Sequence, residues 1–435
     1  MIKSTISMLL AVIIILLSLS VTSCDNRQGL DIDEKSTVSS TQPGTPTLTY
    51  NSAPAQSDNI KMLSSGDIKI MSINVYFNDP TPRGPGMVKL ITDADPDSIG
   101  VQEFMGDWMQ FFEGGLSQYD YVGFNVNGVQ DKYCEANYIF YKKDKLKCLA
   151  WDTIWLTSTP YLPSGNPEVE DKHRACTWAV FEDIETGFRY AHVNCHLESG
   201  SAVVNARQMP VIRDLLIRFA SVGLPVFATG DFNTREGSDT YAIMVTDTGI
   251  GDTKYLAEDT MNKGTHHGTD GYRESTGLPI DYCFAVKDLV KVKKYEVIET
   301  WVDGMYVSDH NAVMAASTVN ELPDQYMLIP NLTTDGITVN VNSVRQYVAE
   351  ISFTQADDVF YTTAYRVWVE DKDGNEICTR SIPSYNLDEN RQQTLNCTLA
   401  GLSPATEYTV YIAPATIIGT YGNSVSFDIT TPAFE

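Results

Sequence analysis

The hydrophobic pattern is a succession of short apolar or alternating runs, many of which end in a polar side chain. Ile68, Ile70, Ser72 and Asn74 alternate with Lys69, Met71, Ile73 and Val75, which predicts a strand buried on one or both faces with Asn74 at its end. Residues 97–102 predict a second strand, with Glu103 at its C-terminal end. Helices are predicted between Pro85 and Pro96 and over 105–112. Further strands are predicted over 119–124, 137–141, 177–182, 189–197, 226–231, 280–286, 291–299 and 312–317. Residues 201–219 have a broadly helical spacing of apolar positions, interrupted by Pro210, where the helix should kink or begin. Strands mixed with a few helices over 66–320 predict a layered α/β domain. Leu322 and Pro323 mark a boundary. Beyond them, alternating runs at 336–341 and 365–369, with a turn at 371–375, predict an all-β sandwich over 321–435.

The N-terminal 23 residues differ from everything that follows. Lys3 precedes a nearly uninterrupted apolar run over 8–19, too short for a comfortable membrane span, and small residues then lead to Cys24. The stretch resembles a bacterial lipoprotein signal with its lipobox; an ordinary secretory signal is the alternative. Acylation of Cys24 would anchor the protein to a membrane of the cell envelope, facing the periplasm or the cell surface. Residues 24–65 are rich in Ser, Thr, Pro, Asp and Gln and predict a disordered tether with a reach of roughly 35 Å. The eight cysteines include Cys24; the rest are scattered and contain no C-x-x-C, so neither a disulfide framework nor a cysteine zinc site is expected.

Charge narrows the partners. The formal net charge of −25 over 435 residues disfavours nucleic acid, whose phosphates need basic surface. Lys142, Lys143, Lys145 and Lys147 form one basic run, read as a solvated turn. No obligate protein partner is evident.

The candidate chemistry lies at the strand ends. The sequence T-G-D-F-N at 229–233 follows the apolar run 224–228, and Asp231 and Asn233, two apart, point the same way at an extended strand end. A carboxylate and an amide so placed suit a cation, a phosphate oxygen or a water. Asn74, Glu103, Glu135, His196, Asp281 and the pair Asp309 and His310 occupy similar positions. Singly, each has an ordinary structural explanation; seven such stretches in one domain do not.

Together, in this order, these motifs resemble the endonuclease/exonuclease/phosphatase superfamily over residues 68–317. The resemblance implies a four-layer α-β-β-α sandwich of two packed mixed sheets, with a metal-dependent phosphoester hydrolase site at one end. It implies that Glu103 holds Mg²⁺, or Mn²⁺, with Asn74 and Asp309 nearby, hard oxygen donors suited to either ion. Asp231 and Asn233 would orient water and phosphate. His310, paired with Asp281, would act as base or phosphate ligand, His196 with Glu135 as general acid, and Arg174 as a phosphate clamp. Glu198 departs from the aspartate usual after the H-L pair. Leu402 to Tyr408 resembles the G-L-x-P-x-T-x-Y segment of fibronectin type III domains, which implies that kind of sandwich for the C-terminal region.

The expected substrate is a small phosphorylated metabolite, a sugar phosphate or a lipid headgroup. A nuclease acting on DNA or RNA, a zinc hydrolase using His192, His196, His266 or His267, and a non-catalytic surface binding lipoprotein are the competing readings. Since the candidate residues all precede Leu322, a fragment spanning 59–322 is expected to keep the activity. Cys134 and Cys195, each adjacent to a candidate residue, are expected to be buried and structural, near each other.

Overall fold

Strands that carry no clean polar alternation turn out to be covered on both faces. The computed structural model describes residues 43–53, 65–268, 277–320, 333–357, 361–384 and 394–434. The signal segment 1–23, Cys24 and the boundary at Leu322 lie outside the described residues. In the strand Gly66–Asn74, Ile68 and Ile70 join a core between two sheets, while Met71 and Ile73 pack on the other side with Met87, Leu90, Trp108 and Phe112. Those last four come from the helices Gly84–Ala94 and Trp108–Gly115.

One sheet has the order Asp259–Thr260, Val290–Ile298, Ala312–Val319, Gly66–Asn74, Ser98–Gln102, Ile139–Lys142, Tyr119–Val122. The other runs Ile250–Asp252, Asp281–Val286, Val226–Asp231, Arg189–His196, Ala175–Asp183, Leu146–Trp155. Its outer face is covered by the helices Ala202–Ser221 and Asp239–Val245, through Ile212, Leu216, Phe219 and Met244 against Val193, Val226 and Phe284. The result is the four-layer α-β-β-α sandwich. The helix Ala202–Ser221 is capped by Ser201, which accepts from Val204 N–H at 3.3 Å, and runs through Pro210 rather than starting there.

Near one end the space between the sheets is polar. His192 bonds Ser98 Oγ at 2.9 Å and Thr229 Oγ1 at 2.8 Å, and Asn194 Oδ1 accepts from Gln102 Nε2 at 2.7 Å. The sheets meet closely here because Gly100 has no side chain: a Cβ would fall 2.1 Å from Thr229 Oγ1 and 2.4 Å from Asn194 Oδ1. Gly100→Ala should therefore cost about 1–3 kcal/mol. Thermal unfolding of the variant would check this.

Two sequence expectations are corrected. No strand is predicted over 146–155, yet Leu146–Trp155 is an edge strand with a bulge between Cys148 and Ala150, which breaks its alternation. The segment 24–65, expected to be a disordered tether, contains the strand Thr49–Asn51, which pairs with Ser424–Thr430, and Gly44 bridges Val341. β-Branched and aromatic residues at 47–50 meet an open sheet edge there.

The C-terminal region is all β. A five-stranded sheet and the three-stranded sheet Val339–Val344, Val348–Thr354, Thr394–Ala400 enclose one core. That core includes Phe124 of the first region, and Ile417 and Ile418 enter the core under the helix Ala202–Ser221. Arg380 Nε donates to Asp152 Oδ1 at 2.6 Å, both side chains being buried. The expectation that a fragment spanning 59–322 keeps the activity meets a hydrophobic core and a buried ion pair that the two regions share.

Candidate active site

Strand register assembles the site. His196 pairs with Asp231 across parallel strands, and Asp231 with Asp281 across antiparallel ones, so three chemical groups line up at one sheet end. Asn74 pairs with Gln102 in the facing sheet, which puts Glu103 just past the same end. Glu103 and Asn233 take φ values of 57° and 47°, left-handed conformations that non-glycine residues adopt at a cost and that concentrate at functional sites.

Two histidine–carboxylate pairs face one oxygen. His196 Nδ1 lies 2.6 Å from Glu135 Oε1, and its Nε2 is 3.0 Å from Asn233 Nδ2 and 3.6 Å from Asp231 Oδ2. His310 Nδ1 lies 2.8 Å from Asp281 Oδ2, with Nε2 3.7 Å from the same Asp231 oxygen. Asp231 Oδ1 accepts Asn233 N–H at 2.9 Å, and Oδ2 accepts Asn74 Nδ2 at 3.2 Å. Burial alone would raise the Glu135 carboxyl, but His196 and Arg174 hold it down at about 2. Burial would lower the His310 imidazole; the carboxylates of Asp281 and Asp231 outweigh it and push it up to about 10.

A folded-state value above the ordinary histidine 6.5 fixes a sign. In the metal-free protein His310 contributes stability fully present below pH 6.5 and lost as pH rises through about 10. Urea unfolding of wild type and His310→Gln across that window should show the difference between them shrinking with rising pH.

Backbone supports hold the last loop. Ser308 Oγ–H donates to Asn74 O at 2.6 Å and accepts His310 N–H at 3.0 Å. Thr300 Oγ1 donates to His310 O at 2.8 Å.

Glu103 and Asp309 fit a hard divalent cation. Glu103 Oε1 accepts Asn74 Nδ2 at 3.1 Å and Oε2 accepts Phe77 N–H at 3.0 Å, which fixes the carboxylate. Asp309 Oδ1 is buried without a hydrogen-bond partner, and burial and the nearby Glu103 charge both raise its carboxyl. An orphaned carboxylate oxygen beside a second carboxylate is what a cation would satisfy. Asn74 turns its amide oxygen to Tyr76 N–H at 2.9 Å and bridges Glu103 and Asp231 with its nitrogen. His266 Nε2 stands 3.9 Å from Asp309 Oδ2, and its ring is 4.7 Å from that of His310.

Arg174, the expected phosphate clamp, is only 2% exposed, and its Nη1 and Nε face Glu135 and Glu198. Zinc through His192 is excluded by place: that ring is buried between the sheets with both nitrogens bonded, and burial lowers it to about 3. His267 is likewise engaged, with Thr300 Oγ1 at 3.1 Å and Gly268 O at 2.9 Å. Cys134 and Cys195 are buried, but in separate clusters rather than together.

A sequence model of the endonuclease/exonuclease/phosphatase family matches residues 71–310, a span holding every site residue from Asn74 to His310. The chain belongs to the endonuclease/exonuclease/phosphatase family. Several solved structures share its fold. An endonuclease/exonuclease/phosphatase family protein of Bacteroides thetaiotaomicron is 21% identical with a TM-score of 0.54, over 59% of this chain and 99% of that one. A mannosyl-6-phosphatase of the same species is 22% identical with a TM-score of 0.52, over 57% and 99%. A Bacteroides vulgatus member of the family is 24% identical with a TM-score of 0.53, over 59% and 100%. No curated protein sequence matches the chain. Family membership makes the chain's fold that of a phosphoester hydrolase. In this endonuclease/exonuclease/phosphatase protein, His266 was offered by sequence only as a zinc ligand; the structure puts it beside Asp309 and His310.

Proposed function

We propose that this protein is a Mg²⁺- or Mn²⁺-dependent phosphoester hydrolase of small phosphorylated compounds. The observation that carries the reading is the convergence of His196 and His310, each oriented by its own carboxylate, on Asp231 Oδ2 at 3.6 and 3.7 Å. Asp231 is placed to hold the attacking water and take its proton, with Asn233 alongside. His310 offers a positively charged N–H to a phosphate oxygen. His196, oriented by Glu135, gives its proton to the leaving oxygen. A cation held by Glu103 and Asp309 would neutralise charge building on the phosphate.

A sugar phosphate is the substrate of choice, supported by the fold shared with a mannosyl-6-phosphatase and by the acidity of the chain. A lipid headgroup phosphate is the next. Two lysines of the one basic run are paired with carboxylates, Lys142 with Asp95 and Asp97 and Lys145 with Asp97, which lends the nuclease reading less support. A lipid anchor on Cys24 would place the activity in the bacterial cell envelope.

The test is a panel of hexose 6-phosphates, a glycerophosphodiester, bis(nitrophenyl) phosphate and DNA, assayed with chelated and Mg²⁺-loaded protein. Metal-dependent release from the hexose phosphates supports the reading; turnover of DNA alone overturns the substrate class. Glu103→Gln keeps the shape and removes the charge. It should weaken Mg²⁺ binding about tenfold or more in titration calorimetry, with little change in thermal unfolding.

A further inference from the structure

Two charged residues beside the site are buried and paired with each other. Arg174 and Glu198 are 2% and 3% exposed. Arg174 Nη1 lies 3.3 Å from both oxygens of Glu135, and its Nε lies 3.3 Å from Glu198 Oε2. Glu198 is fixed in turn: Oε1 accepts Gly200 N–H at 2.6 Å, and its own N–H donates to Gln208 Oε1 at 2.8 Å. Lys172 Nζ stands 3.8 Å from Glu198 Oε2. Glu198, Arg174, Glu135 and His196 thus form a row of alternating charge that ends on an imidazole facing the site.

We infer that Arg174 and Glu198 are positioning residues that set, through Glu135, how firmly His196 holds its proton. The inference rests on the proposed role of His196 as the proton donor. Glu135 Oε1 is shared, at 2.6 Å from His196 Nδ1 and at 3.3 Å from Arg174 Nη1. The longer arginine contacts leave most of the carboxylate's field for the histidine. Glu198 keeps them long, because it draws the guanidinium from the other side. An aspartate at 198, one methylene shorter, would lose this hold and let Arg174 close on Glu135. The departure from the residue usual after H-L thereby gains a physical consequence. His196 also faces Asp231 Oδ2 at 3.6 Å and Asn233 Nδ2 at 3.0 Å, with His310 and Asp281 beyond Asp231. None of those is altered by changes at 174 or 198.

The row predicts opposite signs for its two links. Arg174→Gln removes a positive charge, so His196 should hold its proton more tightly. Glu198→Gln removes a negative charge and frees Arg174 to neutralise Glu135, so His196 should hold it less tightly. Glu198→Asp should move in the same direction as Glu198→Gln. The expected displacement is on the order of one pH unit for Arg174→Gln, tenfold in proton affinity, and less for the Glu198 variants.

The experiment is an NMR titration of ring-labelled His196 in the full chain, without metal or substrate, set beside the alkaline limb of the kcat profile for a hexose phosphate and for nitrophenyl phosphate. Titration midpoints that move up for Arg174→Gln and down for Glu198→Gln support the inference, and the hexose phosphate limb should follow them while nitrophenyl phosphate responds little. Midpoints that stay in place or move together, with turnover merely reduced, would show a purely structural role and overturn it. If Arg174→Gln does not fold because it leaves two carboxylates unpaired, the downward shift in Glu198→Gln and its absence decide the matter. Failure to hydrolyse any phosphoester would count against the proposed function, while the titration still tests the charge row.

Discussion

Asp231→Asn should lower kcat by about three orders of magnitude while the protein stays folded. The substitution keeps the shape and the oxygen that accepts Asn233 N–H at 2.9 Å. It replaces the oxygen that lies 3.2 Å from Asn74 Nδ2, 3.6 Å from His196 Nε2 and 3.7 Å from His310 Nε2 with an NH₂ group. A donor then faces the Asn74 amide donor and the His310 imidazolium, and no group remains to take the proton of water. Loss of a positioned general base costs about 10²–10⁴-fold, and the loss of His310's second carboxylate partner places the variant within that range rather than at its foot. Steady-state kinetics with a saturating hexose phosphate, beside a thermal unfolding curve, would check both halves. A fall below tenfold would mean that Asp231 only supports the site.

The second large effect is on stability. Arg380→Ala should destabilise the protein by about 3–5 kcal/mol, because it leaves Asp152 buried and unpaired. Asp152 is 0% exposed. Burial already pushes its carboxyl up, against the pull of Arg380, and the remaining hydrogen bonds from Thr153 N–H at 2.7 Å and Ser381 N–H at 3.2 Å cannot replace the cation. The arginine also donates to Thr398 O at 2.8 Å, in the facing three-stranded sheet of the same sandwich. The double variant Asp152→Leu with Arg380→Met removes both charges and should recover much of the loss in urea unfolding, separating the cost of an unpaired charge from the worth of the pair. Equal instability of the single and double variants would contradict this. The same contact explains why cutting the chain after Leu322 should give a poorly folded fragment: Asp152 would lose its cation and Phe124 its place in the sandwich core.

How much of this was legible in sequence follows from where each signal resides. A strand that delivers a polar group announces itself, since an apolar run that stops at Asn74, His196 or Asp231 breaks its own pattern at the working residue. The layering followed from the spacing of such runs. The strand Leu146–Trp155 did not, because it is a bulged edge strand whose exposed face is covered by a sandwich more than 200 residues away, as the 228-residue separation of Asp152 and Arg380 shows. The strand Thr49–Asn51 was hidden for the same reason, its partner being Ser424–Thr430. For Arg174, sequence places it just before a strand but does not say which way its side chain turns; the fold turns Nη1 and Nε inward, onto two carboxylates. Glu198 was noted as a departure, yet only the packing reveals what it holds.

The central claim is that the carboxylates and histidines at this sheet end direct a water molecule onto phosphorus with the help of a divalent cation. Hydrolysis of a hexose phosphate in ¹⁸O-labelled water tests it most directly. The Mg²⁺-loaded protein should release phosphate carrying one labelled oxygen, with none in the sugar, and the chelated protein and Asp231→Asn should release almost none. Label in the sugar hydroxyl, or release that persists unchanged in Asp231→Asn, would contradict the account.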